Sequence, residues 1–182
     1  KPIYGMTALS VDDTVMVYDY ENRPLDEDIV VFDVETTGFS TRYNDVIEIG
    51  AAKISRGRVI DTFQAFIKTD QTIPKNIEEL TSITNEMIAS QGRNVGDVME
   101  DFDVFAGDSM LAAHNAFFDW NMLEQCYTRA NKKMPKRPLL DTLKISRKVN
   151  EEMKRHSLGQ LAKSKKYKVD LKNAHRADDD AK

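Results

Sequence analysis

The chain has 182 residues, 41% of them hydrophobic, and a formal net charge of −4; that length suits one domain with a sizeable core. Its 8 Gly and 5 Pro are too few for a low-complexity or collagen-like chain. No apolar run approaches the ~18 residues of a membrane helix, nothing at the N-terminus resembles a secretory signal, and the lone Cys126 excludes an internal disulfide and fits a reducing, cytoplasmic setting.

Residues 1–28 read differently from the rest. Lys1–Met6 is a short apolar piece, Thr14–Tyr18 is a strand candidate, and Asn22-Arg23-Pro24 is a turn. A chain that begins at Lys reads as a fragment or a processed piece. The main body opens with Ile29–Val34, a strongly β-prone run, and Gly38 marks a turn. Val46–Ile54 and Val59–Ile67 follow as strands joined by the tight Ser55-Arg56-Gly57-Arg58 connection, which predicts an antiparallel meander. From Val95 the apolar spacing becomes helical through Val98, Met99, Phe102 and Phe105. Met110–Ala113 is a short strand, Phe118–Ala130 a second helix, and Leu139-Leu140 a last short strand. Asp141 is placed to cap a helix through Val149, and Ser157 to cap another over Leu158–Lys163. The order βββαβαβα(α) predicts a mixed α/β domain with helices packed on a sheet.

Charge is divided along this order. Residues 1–100 hold 9 basic and 18 acidic side chains, whereas Arg129–Arg176 holds 16 basic and 4 acidic ones. A local basic surface of this kind attracts a polyanion despite the acidic total, although solvated lysines on helix faces give the same count.

The chemistry-bearing residues begin in the first long strand. Side chains alternate faces there, so Val30, Phe32 and Val34 share one face while Asp33 and Glu35 share the other. Two carboxylates side by side on an apolar strand resist burial and repel each other, and a hard divalent cation such as Mg²⁺ or Mn²⁺ removes that cost. A wet edge strand is the plainer alternative. Asp119 stands at the start of a helix, within His114-Asn115-Ala116-Phe117-Phe118-Asp119, and His175 precedes Asp178-Asp179-Asp180. An acidic first turn explains either alone through the helix dipole.

Together and in this order, Asp33-Val34-Glu35-Thr36-Thr37-Gly38, His114-Asn115-Ala116-Phe117-Phe118-Asp119 and His175-x4-Asp180 resemble the three motifs of the DEDDh (DnaQ-like) 3′→5′ exonucleases. Glu79-Leu80-Thr81-Ser82-Ile83-Thr84 resembles a further segment of that group, with Ser82 in place of Gly. The resemblance implies an RNase H-like fold, a central mixed five-stranded sheet flanked by helices. It implies an exonuclease domain over residues 29–182 whose C-terminal helix is truncated. Residues 1–28 form an N-terminal arm. Its Lys1–Met6 and Val11-Asp12-Asp13 resemble the piece of PHP domain before the exonuclease insertion of PolC-type DNA polymerase III alpha subunits, the replicative polymerases of low-GC Gram-positive bacteria.

By the same resemblance Asp33, Glu35, Asp119 and Asp180 hold two divalent metal ions, Mg²⁺ or Mn²⁺, and His175 is the general base. Only the H-x4-D spacing selects Asp180 over Asp179. Thr36, Thr37, Gly38, Phe39, His114, Asn115 and Phe118 are expected around the substrate, with Phe39 wedged against the terminal base. His114 has a structural role as its alternative, and Phe39 a packing role in the turn. The implied function is proofreading: hydrolysis of single-stranded or frayed DNA from its 3′ end, releasing nucleoside 5′-monophosphates. The implied partners are the DNA 3′ end, the PHP and polymerase domains of the alpha subunit, and a sliding clamp through the holoenzyme, with no membrane. An RNA 3′-end trimming enzyme and a catalytically silent nucleic-acid- or clamp-binding domain are the competing readings.

Overall fold

Val30, Phe32, Val34 and Thr36 are buried while the residues between them are half-buried, the two-residue alternation expected of this strand. The computed structural model describes residues 15–18 and 28–164. Strand β1 (Val17–Tyr18) is followed by β2 (Ile29–Thr36), β3 (Val46–Ser55) and β4 (Arg58–Phe66). Helices α1 (Lys75–Thr81), α2 (Asn85–Gln91) and α3 (Val95–Ala106) precede β5 (Met110–Ala113). Helix α4 (Phe117–Arg129), β6 (Leu139–Asp141), α5 (Thr142–Val149) and α6 (Leu158–Lys163) complete the order.

The strands form one sheet in the order β1-β6-β5-β2-β3-β4. The expected meander is present: β2, β3 and β4 pair antiparallel, with Gly57 at φ 74° in the second turn. Strands β5 and β6 run parallel to β2. The sheet has six strands where five were expected. The added one is β1, which pairs antiparallel with β6, and the Asp141 amide donates to the Met16 carbonyl at 2.9 Å. Its two residues lie within the Thr14–Tyr18 strand candidate, and the edge of β6 gives them a partner.

Helices α3 and α4 cover the face carrying Val30, Phe32 and Val34. Val98, Met99, Phe102, Met122, Leu123 and Cys126 join those residues in one buried cluster. Phe102 meets Phe32 and Phe63 edge-on, with ring centroids 6.2 and 5.6 Å apart. A second cluster gathers Ile47, Phe66, Ile73, Ile77, Ile83 and Ile88, and it seats α1 and α2. These two short helices were not expected from the sequence. Their limits are set by Ser82, left-handed at φ 60°, and by Thr84, whose side chain accepts from the Met87 amide. Asp141 caps α5 as expected, accepting from the amides of Leu143 and Lys144. Ser157 precedes α6 but makes no side-chain cap bond. Among the described residues, no helix is long and apolar enough to cross a membrane.

Candidate functional site

The parallel strands β2, β5 and β6 all present their carboxyl ends to one side of the sheet, where loops and helix starts converge; ligands of open α/β sheets gather at such ends. Asp33 and Glu35 lie at the end of β2, half-buried, on the face opposite the α3–α4 core. Gly50 is the cross-strand partner of Asp33, so no side chain crowds it from β3. Strand β5 pairs with β2 only from Ile29 to Val31. Farther along, the Val34 amide donates instead to Asp119 Oδ1 at 3.3 Å. This bond seats the start of α4 on β2 at the residue between Asp33 and Glu35.

Asp119 is buried, and burial pushes its carboxyl up to about 7; the nearby Asp141 charge adds to this, while the Val34 amide and its own backbone amide work against it. A buried carboxyl that resists ionisation is a group that a divalent cation, when bound, would stabilise in its charged form. Among the described residues, no group of three or more His, Cys, Asp or Glu side chains is close enough to hold a metal. His175, Asp178, Asp179 and Asp180 lie outside the described residues, as do Lys1–Met6, Val11-Asp12-Asp13 and the Asn22–Pro24 turn.

The loop after β2 is built by its own polar groups. Thr36 Oγ1 donates to the Gly38 carbonyl at 2.7 Å. Thr37 Oγ1 donates to Gln71 Oε1 at 2.7 Å and accepts from the Asp45 amide at 3.0 Å. Both threonines are buried, and their side chains shape this loop. A Cβ on Gly38 would meet Asn44 Oδ1 at 2.8 Å, and that oxygen already accepts from the Ser40 amide. Phe39 projects from the loop with 82% of its surface exposed, so it does not pack the turn.

His114 and Asn115 follow β5. The His114 ring spans two elements: Nε2 donates to the His156 carbonyl at 2.7 Å, and Nδ1 lies 3.1 Å from Thr142 Oγ1. Burial holds this imidazole below its ordinary value. Both ring nitrogens are engaged within the fold. Asn115 is left-handed at φ 69°, and its amide donates to Asp141 Oδ1 at 3.3 Å. Phe118, expected near a ligand, packs half-buried against the main core. Its neighbour Phe117 is the exposed ring, at 63%. Helix phase decides this, because the residue on the core side of α4 is fixed by Met122 and Cys126, four and eight positions on.

Two acids escaped the sequence reading. Glu48 is fully buried, pairs across β2–β3 with Glu35, and so shares its face; Gln64 Nε2 donates to it at 2.6 Å. An acid inside the apolar run Val46-Ile47-Glu48-Ile49 was the available signal. Asp141, read only as a cap, is buried and close enough to raise Asp119.

Comparison with known proteins agrees with the fold. The exonuclease family model (RNase_T) matches residues 30–182. A DNA polymerase III of PolC type from Halalkalibacterium halodurans is 40% identical over 183 aligned residues, which cover 100% of this chain and 13% of the relative. The PolC-type enzyme of Bacillus subtilis is 42% identical over 180 residues, 97% of this chain and 12% of the relative. The chain thus spans 12–13% of the length of these curated relatives. Among solved structures, exonuclease X in complex with 5′-overhanging duplex DNA superposes with a TM-score of 0.67 at 23% identity, over 84% of each chain. E. coli exonuclease I in complex with a dT13 oligonucleotide gives a TM-score of 0.74 at 17% identity, over 85% of this chain and 38% of that one. The shared fold is RNase H-like.

Proposed function

The chain belongs to the exonuclease family that its residues 30–182 match, and from that premise we propose that it removes nucleotides from the 3′ end of single-stranded or frayed DNA. It releases nucleoside 5′-monophosphates and serves as the proofreading domain of a replicative polymerase of PolC type. The observation that carries this reading is the bond from the Val34 amide to Asp119, which seats the helix carrying Asp119 on β2 between Asp33 and Glu35.

Asp33, Glu35, Asp119 and Asp180 would hold two divalent cations, Mg²⁺ or Mn²⁺, which supply the positive charge that stabilises the attacking and leaving oxygens of phosphodiester hydrolysis. His175 takes the proton of the attacking water, since an imidazole with an ordinary pKa of ~6.5 accepts one near neutral pH. The exposed rings of Phe39 and Phe117 give unpaired bases a surface to stack on. The Thr36 hydroxyl bond to the Gly38 carbonyl braces the turn that carries Phe39. Residues 29–182 form the exonuclease domain, and the 1–28 arm belongs with the PHP region of the larger subunit. The remainder of that subunit, and a sliding clamp through the holoenzyme, are its partners in the cytoplasm.

End-labelling tests this directly. On a DNA labelled at its 3′ nucleotide, the first product should be a labelled 5′-monophosphate. On one labelled at its 5′ end, a ladder of shortened strands should appear. Faster loss of a matched RNA would make the protein an RNA trimmer, and release of label from the 5′ end first would reverse the polarity.

A further inference from the structure

A cleft of about 670 Å³ opens between β5, the start of α5 and the loop before α6. Asn115, Leu143, Arg147, Lys154, Arg155 and Ser157 line it, with the His114 and His156 rings behind them. Among the described residues that line it there is no carboxylate, and the three cations are exposed. None of them has a salt-bridge partner among the described residues; the nearby Glu151 is engaged by Lys148 at 3.8 Å. Three cations are thus grouped, with no ion pair among the described residues, in a space of nucleotide size.

The cleft is fixed to the candidate site. Asn115 begins the turn that delivers Asp119, so cleft and carboxylates share one short segment. The His114 Nε2–H bond to the His156 carbonyl ties the loop carrying Lys154 and Arg155 to the end of β5. His156 Nδ1 lies 3.0 Å from Ser146 Oγ, and its Nε2 donates to the Met153 carbonyl at 3.0 Å. Loop, α5 and β5 are joined at these points, so the cations are pre-positioned and little ordering is needed on binding.

We propose that this cleft holds backbone phosphates of the strand being trimmed, upstream of its 3′-terminal nucleotide. This rests on the reading of the carboxylate site as a 3′-end nuclease. Cations at a fixed distance from the reacting end make affinity depend on strand length and salt, because each neutralised phosphate releases counterions.

The test compares dT12 with dT2 as substrates over a KCl series, for the wild type, an Arg147→Gln/Arg155→Gln variant and a Lys133→Gln control on another surface. All three should share one thermal midpoint. On dT12 the double variant should raise KM about tenfold and flatten the plot of log KM against log salt by about 1.4, the value for two phosphate contacts on a single strand. On dT2 its KM should change far less, and the control should follow the wild type on both. A double variant with wild-type KM and slope on dT12 overturns the proposal and leaves the nuclease reading standing. Relief of the dT12 effect by free dTMP at low concentration would assign the cleft to a mononucleotide, and also overturns it. A wild type that shortens neither substrate removes the nuclease reading first, and this proposal with it.

Discussion

The Val34 amide donates to Asp119 Oδ1 at 3.3 Å, which joins the strand that carries Asp33 and Glu35 to the helix that follows β5. The bond replaces a ladder contact that β5 no longer supplies past Val31. It therefore satisfies a buried amide and fixes Asp119 against the strand that carries Asp33 and Glu35.

That placement has a pH signature. Asp119 is moved from its ordinary 3.8 to about 7, mainly by burial. The folded protein thus keeps a proton that the unfolded chain loses. This contribution is whole below pH 3.8 and is lost as the pH rises toward 7, on the order of 4 kcal/mol in all. In chelator, the stability of the wild type relative to Asp119→Asn should fall between about pH 4 and 7. Urea unfolding at several pH values measures this, and parallel curves for the two proteins would refute it.

Thr37 is a loop builder. Replacing it with Val removes the donor to Gln71 and leaves the Asp45 amide without its side-chain acceptor. The expected loss is about 1–3 kcal/mol, the cost of a buried polar group without a partner. Chemical denaturation reads it, and an unchanged midpoint would return Thr37 to the role of a ligand contact.

Phe39 makes the opposite prediction. A ring that is 82% exposed contributes little to folding, so Phe39→Ala should change stability by less than about 0.5 kcal/mol. It should raise KM for single-stranded DNA about tenfold, within the ~1–3 kcal/mol of a base–aromatic stack. A destabilised variant with unchanged KM would make the ring a packing residue. Phe117→Ala should behave in the same way.

The meander, the α3–α4 core and the Asp33/Glu35 face were legible because each rests on a local period. Alternation in Ile29–Thr36 and the Val95–Phe105 spacing survive folding unchanged. What was not legible depends on contacts distant in sequence. Helices α1 and α2 have seven residues each, too few for a periodic signal, and exist through their packing with Ile47 and Phe66. The engagement of His114 depends on a carbonyl 42 residues away. Glu48 shares the face of Glu35 through a register that only the paired strands define. The pitch of α4 packs Phe118 half-buried on the core and turns Phe117 outward, which the sequence alone did not separate.

The central claim is that the carboxylates at the end of β2 carry DNA hydrolysis. It is tested most directly with an Asp33→Asn/Glu35→Gln variant and a 5′-labelled single-stranded DNA in Mg²⁺ or Mn²⁺. The wild type should shorten the DNA stepwise, and chelator should stop it. The variant should keep its fold and lose at least about a hundredfold in rate. A folded variant that shortens the DNA at the wild-type rate would contradict the account.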